Sequence, residues 1–217
     1  MIDEIRYRSY FDALLTGRRN TCRNIVLKLR EEDVPLESIY VDLFQRSLYE
    51  IGSMWEQNRI SVATEHLATA ITEYLMAVLY STLFIPDPKD RSIVVSCVAN
   101  EYHQIGGKMV ADILEARGWN TYFLGANTPI ADMLNLVQEK RPDWVALSLS
   151  VYFNMPQLER AIEELRRIGS GFGIVVGGQA FQWCKTAFTE RYPDIPICAS
   201  LYDIDVLEPI SKKARTR

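Results

Sequence analysis

Histidine is almost absent from this chain: its 217 residues hold two, His66 and His103. Any imidazole chemistry must run through one or both. Cysteine is scarce and scattered. Cys22, Cys97, Cys184 and Cys198 form no C-x-x-C pair, so neither a zinc site nor a disulfide framework is indicated. Cys97 lies in an apolar run and reads as a small core residue. No apolar run approaches the roughly 20 residues that a membrane span requires. The opening Met-Ile-Asp-Glu-Ile-Arg is polar and acidic, unlike a secretory leader, so a cytoplasmic protein with no membrane contact is expected. An excess of basic charge is missing too. The formal net charge is −4, which gives no overall pull toward nucleic acid, and the basic tail Lys212, Lys213, Arg215 and Arg217 reads as a solvated end. With 48% hydrophobic and 24% charged residues, what remains is the composition of a globular protein.

Internal repeats are also lacking, but the hydrophobic period changes once along the chain. Residues 1–85 read as helical. From Leu36 to Trp55 the apolar residues Ile39, Tyr40, Leu43, Phe44, Leu48, Ile51, Met54 and Trp55 recur mostly at steps of three and four. A polar break follows, Ser61 offers an N-cap, and a second helix runs from Val62 to about Leu83. Ile5–Leu15 and Cys22–Leu29 read as two earlier helices joined near Gly17, giving a four-helix bundle. Residues 86–90, Pro-Asp-Pro-Lys-Asp, read as a linker. From residue 91 to 217 short apolar runs alternate with helical patterns. Strands are predicted at 92–99, 121–124, 143–149, 173–176 and near 195–198, and helices at 105–117, 130–140, 156–168 and 180–190. The α/β alternation implies a flavodoxin-like (Rossmann-type) five-stranded parallel sheet of order 2-1-3-4-5.

Such sheets bind ligands outside the carboxyl ends of their strands. The loop after the first strand reads Asn100-Glu101-Tyr102-His103-Gln104-Ile105-Gly106. The third strand ends with Ser148-Leu149-Ser150, and the fourth with Gly177-Gly178. His103 offers a neutral imidazole, Glu101 a carboxylate to hold its second nitrogen, and Gly106-Gly107 close backbone approach. Each feature also has a plainer reading. A lone loop histidine is more often simply solvated, either serine alone is more often a cap, and Gly-Gly serves equally as a tight turn.

In order and spacing, Glu101-x-His103-x-x-Gly106, Ser148-x-Ser150 and Gly177-Gly178 resemble the D-x-H-x-x-G, S-x-L and G-G pattern of the cobalamin-binding domain of methionine synthases, corrinoid proteins and B12-dependent mutases. The resemblance covers residues 91 to about 200. It implies that His103 replaces the nucleotide base of cobalamin on cobalt, that Glu101, Tyr102, His103, Gln104, Ile105 and Gly106 form the ligand loop, that Ser148 and Ser150 adjoin the buried base, and that Gly177-Gly178 line the tail channel. Glu101 stands where the family has aspartate, one methylene shorter, and Ser150 where it has leucine.

In the helical half, Trp55, nine residues and then Glu65-His66 resemble the W-x9-E-H signature of the helical cap in CarH-type B12 photoreceptors. Read from chemistry alone, Trp55 is a core residue, Glu65 favours a helix N-terminus and His66 is a packed side chain. The resemblance instead implies that Trp55 covers the upper ligand of cobalamin, that Glu65 accepts ribose hydroxyls and that His66 hydrogen-bonds beside them. Those photoreceptors carry a further histidine directly after the tryptophan, where this chain has Glu56, and a DNA-binding module that is not expected here.

The expected function is therefore a cobalamin-binding sensor, of light or of adenosylcobalamin itself, taking adenosylcobalamin base-off with His103 on cobalt. Output would pass through a protein partner or a change of homo-oligomeric state, without direct nucleic-acid contact. The alternative is a corrinoid methyl carrier, taking methylcobalamin and serving partner methyltransferases. A third reading, a protein-contact module that has lost its cofactor, is opposed by His103. Haem fits the glycines and serines less well. No catalytic residue is assigned, and a binding protein is expected rather than an enzyme.

Overall fold

The computed structural model describes residues 2–83, 87 and 90–207. Most of the expected linker and all of the basic tail, Lys212, Lys213, Arg215 and Arg217, lie outside the described residues. Asp3 starts the first helix: its carboxylate accepts the Arg6 N–H at 2.8 Å, satisfying an amide that has no partner inside the helix. α1 (Glu4–Leu15) closes at Gly17, φ +70°, with the Arg18 N–H donating to the Ala13 carbonyl at 2.8 Å. Asp33 (φ +54°) ends α2 (Arg19–Glu31) by the same geometry, and Asn58 (φ +55°) ends the helix that carries Trp55. Small polar residues tolerate this left-handed turn, so these positions mark the helix ends. Ser61 caps α5 (Val62–Tyr80), accepting the Thr64 N–H at 3.2 Å. α5 stops three residues short of the expected Leu83, where the Ser81 and Thr82 hydroxyls bond back to the Val78 and Leu79 carbonyls.

Between α2 and α5 the chain is helical but not uniformly so. A single α turn, α3 (Leu36–Ser38), leads into a π-helical segment, Ile39–Gln45, and then α4 (Arg46–Glu56). The buried residues explain it. Leu36, Tyr40 and Phe44 recur every four residues, as do Ile39, Leu43, Ser47 and Ile51. A repeat of four drifts around an α-helix of 3.6 residues per turn, and the wider π turn keeps those side chains on one face. Ser47 is consequently fully buried while Leu48 is only partly so.

Tyr7, Tyr10, Leu14, Cys22, Val26, Phe44, Ile71 and Leu75 are fully buried in the helical core, where α5 packs against α1, α2 and α4. One polar network joins α1 to α4. The Tyr7 hydroxyl donates to Glu50 at 2.8 Å, Arg8 bridges Glu50 and Glu4, and Arg46 bonds Glu4 while lying 3.6 Å above the Tyr7 ring.

The second compact unit, within Ile85–Arg217, is an α/β sheet; the first lies within Met1–Phe84. Its strands are β1 (Ser92–Cys97), β2 (Asn120–Gly125), β3 (Trp144–Ser148), β4 (Gly173–Gly177) and β5 (Ile197–Cys198), all parallel in the order β2-β1-β3-β4-β5. The intervening helices are α6 (Ile105–Ala116), α7 (Ile130–Lys140), α8 (Met155–Ile168) and α9 (Phe181–Arg191). Val94, Val145, Leu147 and Val176 are buried in the core with Leu158, Ile162 and Phe181, which is why these strands read as continuous apolar runs. β3 stops one residue short of Leu149, and that sets the geometry of the site. Among the described residues no helix is long and apolar enough to cross a membrane.

Burial pushes the Tyr7 phenol up to about 12, and its bond to the Glu50 carboxylate pushes the same way. A phenol held protonated more firmly in the folded state contributes full stability below its ordinary value of 10.0, and that contribution is lost as pH rises toward 12. We therefore expect the melting temperature to fall more steeply across this range in the parent protein than in Tyr7→Phe. Parallel curves in thermal denaturation would refute it.

Candidate ligand-binding site at the carboxyl edge of the sheet

From β1 the chain crosses to β2 on one side, whereas β3 leads to β4 on the other. The loops after β1 and β3 therefore diverge at the carboxyl edge, the switch point at which sheets of this order bind ligands. The last rungs of the sheet align the residues noted in the sequence. Cys97 pairs with Ser148, Ser148 with Gly177, and Gly177 with Cys198. Ser148 is buried, as is Cys97 beside it. Burial, reinforced by the nearby Glu101 charge, pushes the Cys97 thiol up to about 12, so it is a neutral wall residue and not a thiolate.

Glu101 lies at the centre of the loop after β1 and is fully buried. Oε1 accepts the His103 N–H at 3.1 Å and faces His103 Nδ1 at 2.5 Å. Oε2 accepts the backbone N–H groups of Ser150 and Val151, each at 2.9 Å, and the Asn154 side-chain amide at 3.4 Å. Burial alone would raise this carboxyl; the His103 ring and the three backbone donors outweigh it and hold the group at about 2. It is thus a carboxylate at any physiological pH. With Nδ1–H donated to Glu101, the lone pair of neutral His103 resides on Nε2, and the ring is 63% exposed.

Three asparagines, none singled out by the sequence reading, complete the arrangement. Asn154 is buried, and its amide also donates to the Asn100 carbonyl at 3.1 Å. Asn127, in the loop after β2, donates its N–H to the Glu101 carbonyl and accepts the Asn100 N–H through Oδ1, each at 2.8 Å. The only signal available in sequence was an Asn in each of the three loops that reach this edge.

The glycines divide into two kinds. At Gly178, φ is +111° and a Cβ would stand 2.3 Å from the Leu149 carbonyl oxygen; at Gly177 it would stand 2.7 Å from that of Cys198. The protein's own backbone requires both. Gly106 differs. It sits in the first turn of α6 without a left-handed φ, and nothing lies within 4 Å of where its Cβ would be. Alanine would serve the helix better, so the glycine leaves room on the outer surface. Tyr102 is 68% exposed on the same loop, Ser150 and Gln104 are partly buried, and the Gln104 amide oxygen lies against Gly125. Val151, Tyr152 and Phe153 follow Ser150 as exposed apolar side chains.

In the helical unit, Trp55 occupies the last turn of α4 and Glu65-His66 the first turns of α5. Trp55 is 46% exposed, so it is not a core residue. His66 Nδ1 meets Glu65 at 2.8 Å, and Glu65 also accepts the Thr69 hydroxyl at 3.0 Å. Gly52, one turn before Trp55, also has open space where a Cβ would be.

Comparison with known proteins shows the family. Residues 91–199 match the B12 binding domain, and residues 7–80 match a second family described as B12 binding domain. The chain belongs to the B12-binding domain family. Among its relatives, the HTH-type transcriptional repressor CarA of Myxococcus xanthus is 34% identical over 121 residues, 55% of this chain and 41% of CarA. The chain therefore spans less than half of that repressor's length. Dimethylamine corrinoid protein 3 of Methanosarcina acetivorans is 23% identical over 170 residues, 77% of this chain and 79% of that protein. The monomethylamine corrinoid protein of Methanosarcina barkeri shares the fold, with a TM-score of 0.79 at 14% identity over 91% of this chain and 96% of that one.

Gly178→Ala combines a left-handed backbone with a collision against Leu149. We expect a loss of about 1–3 kcal/mol or more in urea unfolding, whereas Gly106→Ala leaves stability equal or higher. Equal stability of Gly178→Ala and the parent would contradict the assignment.

Proposed function

We propose that this chain is a cobalamin-dependent sensor that binds adenosylcobalamin base-off, with His103 Nε2 as the protein ligand to cobalt. The observation that carries the reading is the Glu101–His103 pair: a buried carboxylate fixes the tautomer and presents the nitrogen bearing the lone pair at an exposed edge. Among the described residues no three His, Cys, Asp or Glu side chains gather as a metal site. One imidazole is enough only for a metal whose other positions come with the cofactor, which is the case for cobalt in a corrin. Gly106 supports the fit, since it leaves open space beside the ligand loop.

A bound corrinoid supplies a cobalt–carbon bond that visible light can cleave. The chain supplies the consequence. Trp55 offers an exposed ring face for the upper adenosyl group, Glu65 accepts its ribose hydroxyls, and His66 adds a donor or acceptor. Ser148, Ser150, Gly177 and Gly178 border the space for the nucleotide tail, and Tyr102, Gln104 and Ile105 border the ring. Contacts made only while the upper group is present give the two states different energies, which is what a sensor requires. At the position of the photoreceptors' second histidine stands Glu56, so the lit state of this chain is built without that imidazole. Output then passes to a protein partner or through self-association.

One observation favours a second reading, a corrinoid methyl carrier. The match to dimethylamine corrinoid protein 3 spans most of both chains, 77% and 79%.

The test is to reconstitute the protein with adenosylcobalamin in the dark and then illuminate it with green light. We expect a changed absorption spectrum together with a changed elution volume. No change in either on illumination sinks the sensor reading, and methylation of the bound cob(I)alamin by a corrinoid methyltransferase then establishes the carrier. His103→Ala should bind cobalamin more weakly and lose imidazole coordination; an unaltered spectrum and affinity would remove His103 as the ligand.

A further inference from the structure

The loop after β2 carries no part of the family pattern discussed above, yet it is bonded to the ligand loop twice. The Asn127 N–H donates to the Glu101 carbonyl, and Asn127 Oδ1 accepts the Asn100 N–H, both at 2.8 Å. One residue thus holds the peptide groups on either side of the Asn100–Glu101 peptide, just ahead of His103. The backbone is shaped for it: φ is +49° at Asn127 and +65° at Asn100, a left-handed conformation that asparagine tolerates and most residues avoid. The far side of the same stretch is held by Asn154, which donates to the Asn100 carbonyl, and by the Glu101 N–H, which donates to the Val98 carbonyl at 3.0 Å. Glu101 can orient His103 only if its own backbone is fixed, and Asn127 supplies the bonds to it that come from the loop after β2.

We propose that Asn127 is a positioning residue for the cobalt ligand, acting through Asn100 and Glu101 on the angle and reach of the His103 ring. The inference rests on the ligand role proposed for His103. Its weight follows from metal-site chemistry. Ligand orientation depends on the groups behind the ligand, and removing one of them typically lowers affinity about 10–100-fold.

Asn127→Gly and Asn127→Asp separate this role from a general structural one. Glycine accepts the left-handed backbone and keeps the main-chain bond to Glu101, but lacks the acceptor for the Asn100 N–H. Aspartate keeps both the conformation and the acceptor. The probe is hydroxocobalamin, bound and reduced to cob(II)alamin on the full chain. Electron paramagnetic resonance then reports whether an imidazole nitrogen is on cobalt, and titration gives the affinity. In Asn127→Gly we expect a larger fraction without the nitrogen signal and an affinity about ten-fold lower. In Asn127→Asp both should stay near the parent. A glycine variant that keeps the parent's signal and affinity overturns the inference alone, as does an aspartate variant that falls as far as glycine. A parent with no imidazole signal overturns the His103 assignment and this inference with it.

Discussion

A charged carboxylate with no exposure to solvent is costly unless its oxygens are filled with donors, and Glu101 shapes the carboxyl edge of this sheet through that requirement. Its donors come from two loops: the His103 amide and ring on one side, and the Ser150 and Val151 amides with the Asn154 side chain on the other. To bring two consecutive amides onto one oxygen, the chain must leave the sheet before Ser150. This accounts for β3 ending at Ser148. Leu149 then crosses Gly178 at a distance that no side chain there would permit. The paired glycines thus serve the same arrangement as the glutamate, through backbone packing.

The same constraint decides what His103 can do. Held at about 2, Glu101 remains an acceptor through the whole physiological range and, in the neutral ring, favours the tautomer with the proton on Nδ1. The second nitrogen is then committed to being a base or a ligand. A general base needs a substrate pocket, and the exposed edge offers apolar side chains, Tyr102, Val151, Tyr152 and Phe153, with the open space over Gly106. A broad, flat, largely apolar ring matches that surface better than a small polar substrate. This agrees with membership of the B12-binding domain family.

The fold was legible because both periodicities are strong. Apolar runs such as Ser92–Cys97 and capping residues such as Ser61 announce their elements locally. The π segment was hidden in plain numbers: Ile39, Leu43, Ser47 and Ile51 repeat at four, but a serine in the series disguises the repeat as ordinary helical spacing. At the site, His103 and Glu101 stood out through the rarity of histidine and the two-residue spacing. Asn100, Asn127 and Asn154 did not. Their roles depend on hydrogen bonds between loops 27 and 54 residues apart, and asparagine in a loop is the least informative of residues. Gly177-Gly178 were legible as important, but not for which neighbour. Only the tertiary contact shows that the protein's own backbone occupies the space.

Both histidines of the chain have Nδ1 against a glutamate, and the difference between the two pairs bears on how a sensor could work. Glu101 is fully buried with five hydrogen bonds around it, two of them to His103, so the carboxylate behind that imidazole is fixed. Glu65 retains 25% exposure and is held by the Thr69 hydroxyl one turn on, and His66 is 75% exposed. The Glu65 carboxylate can therefore change rotamer at less cost than Glu101 can. Under the proposed reading the lower ligand must stay fixed while the upper group comes and goes. The stiffness of each pair matches the task assigned to it. A contact that adjusts to the presence of an adenosyl group would give different energies in the two states, which is what the proposed sensor requires.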